Sequence, residues 1–158
     1  MLPIDVLRSS TMTRARETSA IIADSLPGRV PIPSSDLCEC TAPTERADIE
    51  ARHTAGELDS CRQQLDRAYA AIFRPSPDRD TTEVVVCHGN VTRWFVCKAL
   101  GIEPRWWLRF GIQNCTVTII RVKVDGRAQL LSYGDFGHLP PDLVTSLRPS
   151  APRDSTHR

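Results

Sequence analysis

Three consecutive valines, Val84 to Val86, place the strongest constraint on the fold of this 158-residue chain. The run follows a linker at 75–80 that is rich in Pro and Asp, and it precedes a helical pattern at 91–100. A short, continuous apolar run of this kind is typical of a parallel strand that is buried on both faces. We therefore predict a sheet that contains this strand and carries helices on both of its faces.

The other segments favour the same class of fold. A short strand at 4–9 leads into a helix at 12–26, for which Ser10 is the predicted N-cap residue. Strands that alternate with helices are typical of an α/β sandwich with a mostly parallel sheet. The remaining predicted elements are a charged surface excursion at 44–54, a helix at 55–73, and a hairpin with strands at 116–124 and 128–133.

Length and composition predict one soluble domain. The domain spans residues 1–148, and the polar, Pro-containing segment 149–158 is predicted to be disordered. The net charge of +1 supplies no field that would recruit nucleic acid or an anionic membrane. No apolar run approaches the roughly 20 residues of a membrane helix, and the first residues show no secretory signal.

The six cysteines are not spaced as in a disulfide scaffold. Cys87 ends the valine strand and Cys97 lies in an apolar helical run, two positions where free cysteine acts as a small hydrophobic residue. We therefore predict free thiols and a reducing compartment. Cys38 and Cys40 could bind a metal, but no second Cys/His pair has zinc-site spacing, so no metal is expected.

Two junctions between a strand and a helix carry side chains that suit an anion. Arg14 lies in the first turn after the first strand, where a guanidinium can bind a phosphate with two parallel hydrogen bonds. His88 follows the valine strand, where free backbone N–H groups begin a helix. Taken singly, each is also compatible with a solvated arginine or a structural histidine, and neighbouring Arg16 is assigned no role.

A third candidate is Glu39, in the loop at 36–43. A carboxyl group beside a bound phosphate could protonate a leaving oxygen. Most loop glutamates are solvated, so this residue is a weak candidate by itself.

Together these clusters resemble motifs of the histidine phosphatase superfamily, and the similarity extends from about Val6 to Pro149. The resemblance is closest to the mitochondrial serine/threonine-protein phosphatase branch of that superfamily. The two main motifs are Ser10-x-Met12-x-Arg14-Ala15-x-Glu17-Thr18 and Val86-Cys87-His88-Gly89-Asn90-Val91-x-Arg93. Further matching segments are Trp107-Leu108-Arg109, Asn114, Gly134-Asp135, Gly137 and Pro140-Pro141-Asp142.

This resemblance implies a phosphoglycerate-mutase-like, three-layer α/β sandwich and a reaction through a phosphohistidine, with no metal or organic cofactor. Arg14 and His88 would hold the phosphoryl oxygens, and Asn90 would assist through its backbone. A glutamate would protonate the leaving alkoxide and later activate water. The implied partner is a protein phosphorylated on serine or threonine, in the mitochondrion, and the full-length protein would be able to form homo-oligomers.

The sequence departs from the family at the nucleophile. The family opens with a strand that ends in Arg-His-Gly, and that histidine attacks the phosphorus. None of the four histidines, His53, His88, His138 and His157, follows an arginine at a strand end. The family's first strand lies at the centre of the sheet, so we expect a chain that lacks a central strand and has no turnover by itself.

The proton donor can be aligned in two ways. Without a gap, Cys40 takes the position of the family's glutamate, whereas a slip of one residue places Glu39 there. We prefer Glu39 because loops tolerate insertions, and Glu45 is a poorer candidate.

Three functions are compatible with these residues. The first is a phosphatase for phosphoserine and phosphothreonine in proteins. The second is a catalytically inactive module that binds phosphorylated partners or other subunits, and the third is a small-molecule phosphatase or mutase. The short stretch between Glu39 and Ala55 favours an open site for a bulky phosphopeptide over the covered pocket of a sugar-phosphate mutase.

Overall fold

The computed structural model describes residues 3–144, so the predicted disordered tail at 149–158 lies outside the described residues. The strands are β1 (Val6–Ser10), β2 (Ile32–Ser34), β3 (Glu83–Val86), β4 (Val117–Val122) and β5 (Ala128–Asp135). The α-helices are α1 (Thr13–Asp24), α2 (Ala47–Glu50), α3 (Ala55–Ile72) and α4 (Gly89–Leu100). Short 3₁₀ helices occupy Ser35–Leu37, Pro104–Arg109 and Pro141–Leu143.

Strand β1 lies between two parallel neighbours. β2 pairs along one side and β3 along the other, where Ser9 is opposite Val86. β4 and β5 form a separate antiparallel hairpin, and Gly126 in its turn has a φ of 82°. The predicted α/β class with a parallel sheet and helices is therefore confirmed, and the parallel strands direct their carboxyl ends to one edge of the sheet.

The valine strand is not buried on both faces, so this prediction is wrong. All four residues of β3 are only half-buried, and β1 is the one strand that pairs with it within residues 3–144. Burial of a strand's side chains depends on what packs on the two faces of the sheet, and here those faces are only partly covered at β3. Glu83 at its start forms an ion pair with Arg8 of β1 at 2.7 Å.

Helix α3 carries its predicted apolar face into the main core. Leu58, Cys61 and Leu65 are buried along one side, as their spacing of three and four residues predicts. The buried cluster to which this face contributes consists of Leu37, Ala42, Cys61, Leu65, Ala68, Val91, Trp94, Phe95, Cys97 and Trp107. The core therefore joins α3 to α4 and to the loops that precede and follow them.

The excursion at 44–54 is exposed over most of its length, but its first residue is not. Thr44 is fully buried. Its amide donates a hydrogen bond to Glu50 Oε1 at 2.9 Å, and its carbonyl accepts one from Arg105 Nη2 at 2.9 Å. The prediction of a surface segment is wrong for this residue, whose backbone groups are satisfied by Glu50 of the same segment and by Arg105.

Cys40 and Cys61 are joined by a disulfide, so the prediction of free thiols is wrong for this pair. Their Cα atoms lie 5.8 Å apart although 21 positions separate them in the sequence. The spacing of the cysteines could not reveal this contact, because it depends on the irregular 38–46 loop folding back onto α3. The cysteines that are free are Cys38, Cys87, Cys97 and Cys115.

We expect Thr54→Ala to lower the free energy of unfolding by about 1 kcal/mol. Thr54 is the N-cap residue of α3, and its Oγ1 accepts a hydrogen bond from the Glu57 amide at 3.2 Å. Urea denaturation measures the loss. Thr13→Ala is the matched control, since Thr13 is exposed at the start of α1, where no side chain caps the helix. Equal losses in the two variants would contradict the capping role.

Candidate active site

The junction residues meet at the carboxyl ends of β1 and β3. Because these strands are parallel neighbours, the turns that lead from them into α1 and α4 start side by side. Arg14 lies in the first turn of α1, and His88 is the N-cap residue of α4. The structure thus brings together two side chains that are 74 residues apart in the sequence.

Arg14 and His88 are in direct contact, since Arg14 Nε donates a hydrogen bond to His88 Nδ1 at 3.1 Å. A guanidinium has only donors, so Nδ1 is the unprotonated nitrogen of the imidazole and Nε2 carries the hydrogen. Burial lowers the pKa of His88, and the positive charge of Arg14 lowers it further. His88 is therefore buried and neutral at pH 7, while Arg14 is exposed to a ligand.

Ser10 holds the other side of the imidazole ring. Its Oγ accepts the Nε2 hydrogen of His88 at 2.9 Å and accepts a second hydrogen bond from the Met12 amide at 3.2 Å. The prediction that Ser10 is the N-cap of α1 is wrong, because Met12 occupies that position. The sequence gives no signal for the contact with His88, since any serine at a strand end looks the same.

We expect Ser10→Ala to lower the free energy of unfolding by about 1–3 kcal/mol, because the buried Nε2–H of His88 loses its acceptor. Ser10 is fully buried, so solvent does not reach the site to replace the hydroxyl. Chemical denaturation measures the change. Thr11→Ala is the control, because Thr11 is exposed and its Oγ1 lies beside Cys38 Sγ. Wild-type stability of Ser10→Ala would contradict the assigned hydrogen bond.

Glu39 reaches the same site from the 38–46 loop. Its Oε1 accepts a hydrogen bond from the backbone amide of Asn90 at 3.0 Å, and its Oε2 lies 3.9 Å from His88 Nδ1. Cys40, the alternative position for the acid, directs its side chain to Cys61 instead. Of these two neighbouring residues, Glu39 is the one whose side chain lies at the imidazole.

The two candidate glutamates have opposite electrostatic environments. Burial raises the pKa of Glu39, and it outweighs the opposing effects of the Asn90 amide and of the Arg14 and Arg93 charges. Pairing with Arg109 lowers the pKa of Glu45. A raised carboxyl pKa keeps more of the protonated form near neutral pH, which is what a proton donor requires.

Asn90 holds the 38–46 loop against α4. Its backbone amide donates a hydrogen bond to Glu39 Oε1, and its side-chain Nδ2 donates one to the Cys40 carbonyl at 3.0 Å. Arg93 Nη1 donates to Asn90 Oδ1 at 3.2 Å, while the buried Arg93 Nε has no partner among the described residues. Asn90 thus positions the candidate acid, a role that its sequence position did not indicate, and its contact with phosphate stays a prediction.

A second site histidine is not found in the part of the chain that the structure describes. His53 is exposed ahead of α3, His138 is exposed beyond β5, and His157 lies outside the described residues. Residues 3–144 also contain no group of three or more His, Cys, Asp or Glu that could hold a metal ion. No helix within that range has the length and apolar character needed to cross a membrane.

The cluster suits a phosphorylated ligand. An oxyanion bound here would accept hydrogen bonds from Arg14, including the one that His88 Nδ1 accepts in this structure. His88 must then gain a proton at Nδ1 to become a second donor, and the charge of a phosphate dianion favours that protonation. The protonated form of Glu39 lies close enough to supply a proton to an oxygen bound beside His88.

Comparison with known proteins gives consistent matches. The family model described as the histidine phosphatase superfamily (branch 1) matches residues 1–135. The mitochondrial serine/threonine-protein phosphatase Pgam5 of Caenorhabditis briggsae is 39% identical over 146 residues, which cover 86% of this chain and 50% of that protein. The protein of the same name from Homo sapiens is 37% identical over 142 residues, with 86% and 48% covered.

A solved structure agrees with the sequence matches. The phosphoglycerate mutase of Plasmodium falciparum superposes with a TM-score of 0.64 at 32% identity, covering 88% of this chain and 75% of that one. The chain spans about half the length of the curated relatives that it matches.

Proposed function

Because the chain belongs to branch 1 of the histidine phosphatase superfamily, we propose that it forms the phosphate-binding part of a protein serine/threonine phosphatase site. The observation that carries this proposal is the convergence of Arg14, His88 and Glu39. Arg14 Nε lies 3.1 Å from His88 Nδ1, and Glu39 Oε2 lies 3.9 Å from the same nitrogen. An exposed guanidinium, a buried imidazole and a half-buried carboxyl group therefore surround one point at the sheet edge.

In the proposed reaction, Arg14 and His88 hold the phosphoryl oxygens and stabilise the charge that develops on them. The guanidinium binds two oxygens, and His88 becomes cationic when it takes a proton at Nδ1. Ser10 keeps the ring oriented through Nε2, so that Nδ1 faces the ligand. As in the family chemistry, no metal or organic cofactor takes part.

Glu39 is the proposed proton donor. Its burial favours the protonated form, which can transfer a proton to the oxygen of a leaving serine or threonine. The same carboxylate can then accept a proton from the water that hydrolyses a phosphohistidine. Asn90 and the 38–46 loop place it for both steps.

The nucleophile is the group that this chain is proposed to lack. In the family the attacking histidine follows an arginine at the end of a central strand. The histidines of this sequence other than His88 are His53, His138 and His157, and no described contact links the first two to the site. We therefore propose that the chain is inactive by itself and that turnover requires a longer form with the Arg-His-Gly strand.

The relatives support phosphoserine and phosphothreonine as the substrate class. Curated proteins at 37–39% identity carry the name serine/threonine-protein phosphatase and are called mitochondrial. We extend both properties to this protein. The absence of a second site histidine within residues 3–144 favours one further candidate, an inactive module that binds phosphorylated proteins through Arg14 and His88.

The test is phosphate release by a longer form that carries the family's Arg-His-Gly strand ahead of this sequence. We expect it to dephosphorylate phosphoserine and phosphothreonine peptides with higher kcat/KM than a phosphoglycerate. Turnover confined to the phosphoglycerate would replace the proposal with a small-molecule phosphatase or mutase. Tight binding of the peptides without turnover would favour the inactive module.

A further inference from the structure

The candidate acid lies next to the disulfide-bonded cysteine of the same loop. We infer that the Cys40–Cys61 disulfide positions Glu39 in the phosphate site. A dithiol reductant would then allow the Glu39 carboxyl group to move away from His88 and would slow the reaction. This inference rests on the proposed function, since it concerns the residue assigned there as proton donor. It makes Cys61 a positioning residue, and it makes the site sensitive to the thiol redox state.

The loop has little structure of its own. Residues 38–46 form neither helix nor strand, and Glu39 lies near the beginning of this segment. Apart from the contacts of Cys38 Sγ with Ser10 and Thr11, the described long-range hydrogen bonds of Cys38, Glu39 and Cys40 come from two helices. Asn90 of α4 contacts Glu39 and Cys40, and Gln64 of α3 donates to the Cys38 carbonyl at 2.9 Å. Such hydrogen bonds exchange readily with water at a half-buried site, so alone they fix the loop less firmly than a covalent bond.

The disulfide joins the loop to the buried face of α3. Cys61 is 4% exposed and lies on the buried face of α3 between Leu58 and Leu65. Cys40 directly follows Glu39, so the position of its side chain limits where the Glu39 backbone can go. Because both ends of the bond are held, Glu39 stays within reach of His88 and of the Asn90 amide.

Reduction would remove this link and leave two thiols, which are neutral in the pH range where a glutamate titrates. A dithiol supplies two electrons and two protons, the sulfur–sulfur bond breaks, Cys40 and Cys61 become thiols, and the reductant becomes a disulfide. The groups that face Glu39 are Arg14 from α1, Cys87 after β3, and His88, the Gly89 and Asn90 backbone amides and Arg93 at the start of α4. None of them is attached through the disulfide, so a changed titration of Glu39 reports movement of the acid itself.

The first experiment follows the Glu39 carboxyl group by NMR in the 158-residue protein, with and without dithiothreitol. We expect a pKa above the ordinary glutamate value in the oxidised protein and a fall toward that value after reduction. Cys61→Ser should behave like the reduced protein and ignore the reductant. Cys97→Ala is the matched control, because Cys97 is a buried core cysteine without a bond to the loop, and it should retain the wild-type response.

A longer, active form permits a second readout. Reduction should lower kcat on a phosphoserine peptide by about 10-fold or more, because an alkoxide leaving group needs a proton. The initial burst of p-nitrophenolate from p-nitrophenyl phosphate, which reports the first step alone, should change little, since p-nitrophenolate leaves without a proton. A general loss of folding would lower both rates together.

Two results would overturn the inference. One is an identical Glu39 titration in the oxidised and reduced proteins, and the other is global unfolding on reduction, seen by circular dichroism, which would make the disulfide a purely structural bond. Failure of the proposed function looks different, because inorganic phosphate would then fail to bind in either redox state. If phosphate binds and Glu39 does not respond to reduction, only the positioning role is wrong.

Discussion

The 158-residue chain is expected to release no phosphate from a phosphoserine peptide above the uncatalysed rate. Removal of a catalytic nucleophile lowers kcat by on the order of 10⁶-fold. The residues that remain here are proposed to bind a phosphate without forming a covalent intermediate. His88 is a poor replacement, because both ring nitrogens are engaged: Nδ1 accepts a hydrogen bond from Arg14, and Nε2 donates one to Ser10. A malachite green assay on purified protein measures the released phosphate.

The matched comparison is the longer form that carries Arg-His-Gly ahead of the same sequence. This form should release phosphate from the peptide. A change of its added histidine to alanine should lower that activity to the level of the short chain. Activity in the short chain that disappears in His88→Ala would contradict the assignment, because it would identify His88 as the nucleophile.

In the longer form, Arg14→Ala is expected to lower kcat/KM. The expected loss of transition-state stabilisation is about 2–4 kcal/mol, as for the loss of one strong oxyanion donor. Arg14 is the exposed cation in contact with His88, so its loss would remove the group proposed to bind two phosphoryl oxygens, while the arginine of the added Arg-His-Gly strand remains. Steady-state kinetics on a phosphothreonine peptide measure the effect.

Arg16→Ala is the control for Arg14→Ala. Both arginines are exposed on α1 two residues apart, but no described hydrogen bond joins the Arg16 side chain to the site. We expect nearly unchanged kinetics for this variant. A loss of less than about tenfold for Arg14→Ala, equivalent to about 1.4 kcal/mol, would remove Arg14 from the phosphate site.

The sequence was sufficient to place Arg14 and His88 at neighbouring strand-to-helix junctions. Arg14 and His88 follow strands that the pattern identified, and parallel strands in one sheet bring their carboxyl ends together. Glu39 could be ranked above Cys40 and Glu45 only through the family resemblance. The structure gives this choice a physical basis, because Cys40 is bound to Cys61 and Glu45 to Arg109.

Other features could not be predicted because they depend on packing between distant segments. Ser10 looked like a helix cap, and only the approach of α4 supplies His88 as its partner. Half-burial of β3 depends on what packs on the faces of the sheet, which the valine run does not encode. The disulfide of Cys40 depends on the path of an irregular loop, and periodicity gives no information about such a path.

The most direct test of a shared phosphate site is an NMR titration of the His88 imidazole nitrogens with inorganic phosphate, in the 158-residue protein at pH 7. Without phosphate, Nδ1 should give the signal of an unprotonated nitrogen, because it accepts the hydrogen bond of Arg14. Phosphate should convert this signal, with saturation, to that of a protonated donor, and the conversion should be lost in Arg14→Ala. Unchanged His88 signals at every phosphate concentration, with the protein still folded, would contradict the assignment of Arg14 and His88 to one phosphate site.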